Sequence, residues 1–112
     1  MLMLPWPPSV LNPNCKSHWS QKAKAARIYR NQCYALANRS TLIASEKGNR
    51  FIVIFYPPDK RKRDDDNMIA AFKHGRDGVA KALGVDDNKF HLVVSVGKVV
   101  KFGAVGVTLE LL

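Results

Sequence analysis

The sequence predicts one α/β domain spanning residues 1–112, a two-layer fold of β-α-β-α-β-β order with a mixed sheet packed against two helices. Three observations predict it. Phe51–Tyr56, FIVIFY, is an unbroken run of β-branched and aromatic residues, which suits a central strand covered on both faces. Two stretches, residues 19–37 and 65–83, repeat apolar positions at three- and four-residue spacing, the period of a helix. Val105, Val107, Leu109 and Leu111 alternate with Gly106, Thr108 and Glu110, the pattern of a strand with one buried face.

Each element follows in turn. Residues 2–4 form a short strand, stopped by Pro5, Pro7 and Pro8. The segment Pro5–His18 is an ordered loop whose turn formers are Ser9, Asn12, Pro13 and Asn14, with Trp6 as an anchor to the core. The first helix runs from Trp19 to Ala37 and buries Trp19, Ala26, Tyr29, Cys33 and Leu36, with Lys22 filling the remaining slot. A polar loop, 38–49, leads into the FIVIFY strand, which Pro57-Pro58 ends. The second helix starts at Asp65 or Asp66 and runs to Leu83, with Ile69, Phe72, Val79 and Leu83 buried and Gly84 as its left-handed terminator. Leu92–Val100 and Val105–Leu111 supply the last two strands.

Charge narrows the partners. The formal net charge is +9, and residues 1–45 hold no acid while carrying Lys16, Lys22, Lys24, Arg27, Arg30 and Arg39. Such a chain favours a polyanion, and nucleic acid over a membrane, because no basic amphipathic segment also carries a large apolar face. Lys24, Arg27 and Arg30 fall mainly off the buried stripe, where they suit phosphate contacts, as do Lys16 and Lys22. No apolar run reaches membrane-spanning length and the proline-broken N-terminus lacks a charged leader, so a reducing cytoplasm is the expectation. Two cysteines, Cys15 and Cys33, are too few for a disulfide framework. Cys15 and His18 have the spacing of half a zinc site, but no second pair matches it. His18, His74 and His91 show no catalytic arrangement.

Seven of the nine acids lie in one segment, residues 59–87. It opens with Lys60, Arg61, Lys62 and Arg63, continues with Asp64, Asp65, Asp66 and Asn67, and closes with Asp86 and Asp87. An aspartate run before a helix has an ordinary use as a cap, and Asp65 is assigned to it. In a strand-like approach Asp64 and Asp66 point to one side. One of Asp86 and Asp87 completes a carboxylate set only if the strand that follows pairs beside Phe51–Tyr56. Such a set would hold Mg²⁺ or Mn²⁺. The metal would polarise a phosphoryl oxygen and make water a better nucleophile, while Lys60–Arg63 and Lys73 hold phosphates. Lys73 shares a helix stripe with Asp66, Ala70 and Asp77.

At these residues the sequence resembles the RusA-type Holliday junction resolvases of bacteria and their phages. The likeness covers most of the chain: LPWPPS (Leu4–Ser9), the basic run into RDDDN (Arg63–Asn67), a helix, and GVDD (Gly84–Asp87). It implies a homodimeric, Mg²⁺-dependent endonuclease that resolves four-way DNA junctions by paired nicks. Its catalytic carboxylates would be Asp64, Asp66 and Asp87, and its products 5′-phosphate and 3′-hydroxyl ends. The family often has a functional lysine four residues after the second aspartate. Here that position is Ala70, and Lys73, one turn further along, is the candidate replacement. Two other readings compete: a non-catalytic basic DNA-binding module whose aspartates only cap a helix, and a less selective metal-dependent nuclease acting on flaps, forks or RNA.

Overall fold

The computed structural model describes residues 1–112. The elements follow the expected order: β1 (Leu2–Pro5), α1 (Trp19–Asn38), β2 (Asn49–Tyr56), α2 (Asp65–Leu83), β3 (Phe90–Val96) and β4 (Ala104–Leu111). Single 3₁₀ turns at Ser9–Leu11 and Asp87–Lys89 precede α1 and β3. The sheet order is β1-β4-β2-β3. β4 is antiparallel to both of its neighbours, and β3 runs parallel to β2 with Asn49 opposite Phe90. β1, β2 and β3 therefore point the same way, and their carboxyl ends share one end of the domain.

Both helices pack on one face of the sheet. Phe51, Val53, Phe55, Val105 and Val107 point into that layer and are at most 1% exposed, meeting Tyr29, Cys33, Phe72 and Val79 from the helices. The alternate residues Ile52, Ile54 and Tyr56 are only half-buried. The expectation that β2 is covered on both faces is thus corrected: a sheet with helices on one side leaves the other face open, and the FIVIFY run reflects strand propensity on that side.

The helix faces also differ in detail. Trp19 is 74% exposed rather than buried, because it sits in the first turn of α1 with the His18 ring tilted against it at 5.6 Å. Leu36 is half-buried and Ala37 takes its core position. On α2 the buried positions are Met68, Ala71, Phe72, Gly75, Gly78, Val79 and Ala80, whereas Ile69 and Leu83 are half-buried. The stripe is rotated toward α1 because two glycines let the helices approach. A β-carbon at Gly78 would run into the Arg30 carbonyl, and one at Gly75 would lie 2.8 Å from the rings of Tyr29 and Phe72. Gly84 ends α2 at φ 72°, and the Val85 amide bonds back to the Ala80 carbonyl at 3.1 Å, a Schellman closure.

The strand expected over Leu92–Val100 is ladder-paired only as Phe90–Val96, since Gly97 lies across Tyr56 on the open face. The chain stays beside β2 all the same: the amides of Gly97 and Val100 bond to the carbonyls of Phe55 and Pro57.

Candidate metal centre and nucleic-acid interface

The chain turns from strand to helix at the carboxyl ends of β1 and β2, where open α/β sheets place ligands. From there α1 and α2 run back side by side, with Arg30 near His74 and Tyr34 near Lys81, so both amino-terminal helix ends lie at that end. The Tyr29 hydroxyl, fully buried, donates to the Pro5 carbonyl at 2.7 Å and fastens the start of the 5–18 loop there. Burial raises the phenol far above its ordinary range, so it remains a donor. Burial likewise pushes the neighbouring Cys33 thiol up to about 12.

Asp64 is the N-cap of α2: its backbone is extended, and its Oδ1 accepts the Asp66 amide at 2.8 Å. Asp65 and Asp66 already belong to the first helical turn. Asp64 is therefore tied to the Asp66 backbone by the capping bond, and the strand alternation expected of the two residues is replaced by a cap followed by a helical turn. All three carboxylates are exposed. Mg²⁺ commonly uses one or two carboxylates, keeps several waters and takes substrate phosphates as further ligands. Two solvent-facing aspartates at the start of one helix, next to a cationic run, fit that requirement.

The basic run before them has an internal clasp. Arg63 is 16% exposed at its side chain and pairs with Asp59 at 2.9 Å. It also donates to the carbonyls of Asp59 and Arg61, and its guanidinium lies 5.7 Å from the centre of the Trp6 ring. Asp59 in turn accepts the Arg61 amide, which with Arg63 holds its carboxyl below the usual range. Arg63 thus shapes the loop, whereas Lys60, Arg61 and Lys62 are exposed with no acidic partner. The other ion pair of the chain, Arg50–Glu110, lies away from this end. Lys16, Lys24 and Arg27 are exposed, and Lys22 and Arg30 half-buried. Arg30 faces the His74 ring at 3.3 Å, and no carboxylate engages any of the five.

Between the two loops is a cavity of about 720 Å³. Its walls are Trp6, Pro7, Asn12, Asn14 and Cys15 on one side, and Arg61, Lys62, Arg63, Asp64 and Asn67 on the other. Phe55, Met68 and Ala71 form its floor. Trp6 meets Phe55 edge-on at 6.0 Å, as expected of a core anchor.

Asp87 is elsewhere. The strand after α2 does pair beside β2, which was the condition for a completed carboxylate set. The pairing is parallel, however, and Phe90 lies opposite Asn49, the first residue of β2. Asp86 and Asp87 are therefore at the far end of α2, a helix of 19 residues and hence about 28 Å long. Asp86 caps the 3₁₀ turn by accepting the Asn88 amide at 3.2 Å. Within one chain no group of three or more His, Cys, Asp or Glu side chains converges to hold a metal. Lys73 is exposed seven residues below Asp66, about 10 Å along the axis, where it borders Ile69, Arg76, Leu92 and Val94.

Sequence reasoning missed the clasp function of Asp59 and Arg63, which a four-residue charge spacing signals. It also missed the cavity amides of Asn14 and Asn67, for which a turn former and a helix first-turn residue give no signal. No helix is long and apolar enough to cross a membrane.

No family model matches the chain. It is similar to an uncharacterized protein of Xylella fastidiosa (strain Temecula1 / ATCC 700964), 44% identical over 93 residues. That alignment covers 80% of this chain and 61% of the relative, so the chain spans less than two thirds of the relative's length.

Proposed function

We propose that the chain is a Mg²⁺-dependent endodeoxyribonuclease that resolves four-way DNA junctions by paired nicks, working as a homodimer in the cytoplasm. The observation that carries this reading is that exposed Asp64 and Asp66 stand at the N-terminus of α2 just after Lys60, Arg61 and Lys62, cations that have no acidic partner. Carboxylates that faced DNA alone would repel it, and cations alone would only bind it. A hard divalent ion between carboxylate and phosphate reconciles the two.

Asp64 and Asp66 would hold the metal, which when bound supplies polarisation of the phosphoryl oxygens and a more acidic water. Lys60, Arg61 and Lys62 bind the flanking phosphates and stabilise the negative charge on the phosphoryl oxygens during in-line displacement of the 3′ oxygen. At about 10 Å from Asp66, Lys73 serves a neighbouring phosphate rather than the one being cut. Lys16, Lys22, Lys24, Arg27 and Arg30 extend the cationic surface along α1, giving steeply salt-dependent binding. A two-fold dimer matches the approximate two-fold symmetry of a junction. In such a dimer the third carboxylate would be Asp87 of one subunit, placed beside Asp64 and Asp66 of the other.

The test compares a labelled four-way junction with a matched linear duplex, with Mg²⁺ and with chelator, for the parent and Asp66→Asn. Paired, metal-dependent nicks on the junction, lost in the variant while junction binding persists, are the expected result. One observation favours a second reading. Asp64 does cap α2, as the aspartates of a non-catalytic DNA-binding module would. Binding without nicks under every divalent ion would establish that module instead, and equal cutting of flaps, forks and junctions would point to a less selective nuclease.

A further inference from the structure

The cavity between the 5–18 loop and the 58–64 loop has a use that the carboxylates and cations do not explain. A phosphate backbone needs only a charged surface. Here the cations border a cavity of about 720 Å³, within the roughly 300–1,000 Å³ of small-ligand sites. Its apolar lining is the half-buried Trp6 together with the buried Phe55, Met68 and Ala71. Two side-chain amides, Asn14 and Asn67, line it, one from each loop region, and neither makes a hydrogen bond within the protein. Arg61 and Lys62 stand at the border without acidic partners.

Each part of this lining recognises one part of a nucleotide. The half-buried Trp6 offers a flat ring an apolar surface. An amide carries a donor pair and an acceptor on one plane, the complement of a base edge. Exposed Arg61 and Lys62 take the phosphates on either side. A paired base inside a duplex cannot enter, because its edges are engaged and its faces stacked. We propose that this cavity receives a single unpaired nucleotide of the DNA, next to the phosphodiester held at Asp64. The inference rests on the DNA reading above and adds that the protein senses an unstacked base at the branch, and the identity of that base. Asp64 lines the same cavity, so the nucleotide seated there fixes which bond meets the carboxylates.

The test uses 4-thiothymidine placed at one position at a time through the branch of a four-way junction. Irradiation with the full chain is done in chelator, so that nothing is cut, and the attached peptide is identified by mass spectrometry. The expected result is a crosslink to residues 6–15 or 58–71 from a position at the branch and none from a linear duplex. Asn14→Ala and Asn67→Ala should each lower that crosslink about fivefold or more while retaining the parent's melting temperature. Asn14 is exposed, so at least this variant folds as the parent does. Crosslinks confined to the α1 surface or the open sheet face, with the junction bound, would overturn the proposal. Cleavage of the same junctions with Mg²⁺ is measured in parallel. Nicking without a cavity crosslink rejects the pocket and keeps the nuclease; a cavity crosslink without nicking keeps the pocket and rejects the nuclease. Failure to bind DNA rejects both.

Discussion

If the metal set is shared between subunits, two inactive variants should restore one another. The perturbation is an equal mixture of Asp66→Asn and Asp87→Asn chains, exchanged by mild denaturation and refolding. Each homodimer has two damaged sites. In the heterodimer, the Asp87→Asn chain supplies intact Asp64 and Asp66, and the Asp66→Asn chain supplies intact Asp87. One site is therefore whole and the other doubly damaged. Random exchange makes half of the dimers mixed, each with one site of two, so about one quarter of the parent's sites return. The geometry excludes restoration within one chain, because α2, about 28 Å long, lies between Asp66 in its first turn and Asp87 beyond its last. The assay is nicking of a junction labelled on all four strands, with mixed dimers verified by two affinity tags. Nicks should return near the quarter level and should be single, since the second cut needs the second site. A verified heterodimer as inactive as its parents, with junction binding intact, would refute the shared site. An Asp87→Asn homodimer that cuts like the parent would remove Asp87 from the site altogether.

Three other outcomes follow from the same geometry. Tyr29→Phe removes the buried bond to the Pro5 carbonyl and should cost about 1–2 kcal/mol, read as a fall in the urea midpoint. An unchanged midpoint would mean that the loop is fastened elsewhere. His74 is held below its ordinary value by burial and then by Arg30, against a smaller opposing pull from Asp77. The unfolded chain then binds the proton more readily, so this contribution to stability is present above about pH 6.5 and lost as pH falls toward the depressed folded value. His74→Gln should flatten the melting temperature across that window, and a variant with the parent's pH profile would contradict the assignment. Lys73→Ala should weaken junction binding and lower the salt slope by about one, with cleavage at saturating protein retained; a loss of rate at full occupancy would instead return Lys73 to the scissile phosphate.

Much of this arrangement is legible in the sequence because it is local. The end of α2 follows from Gly84, whose terminating role needs only neighbouring backbone, while its cap falls on Asp64, one residue before the Asp65 to which the sequence assigned it. The strands follow from period and propensity, and the order of elements from both. What escapes is whatever depends on two segments meeting. Gly75 and Gly78 carry no side chain for an apolar pattern to register, yet they are where α1 docks, because the contact is made by the absence of a side chain. Arg63 reads as one of four equivalent cations until Trp6 and Asp59 are brought to it. The cavity is invisible for the same reason, since its two lining segments are separated by some fifty residues and come together only in the fold.

The position of Asp87 has a topological cause that also limits how such a chain can work. A straight helix that begins at the carboxyl end of one strand and feeds a parallel neighbour must return the chain to the opposite end. Carboxylates at the two ends of that helix are then separated by its full length, whatever the sequence between them. Shortening the helix does not cure this, because the parallel strand must still start at the bottom of the sheet to pair with Asn49. A site that needs both ends must come from two chains, with the amino-terminal end of α2 in one subunit facing the carboxyl-terminal end in the other. Symmetry then makes two such sites at once, and neither exists in a lone subunit. An enzyme built this way would be inactive as a monomer and would cut only as a pair. Dilution below its dimer dissociation constant should therefore abolish nicking while the cationic surface of each subunit still binds DNA.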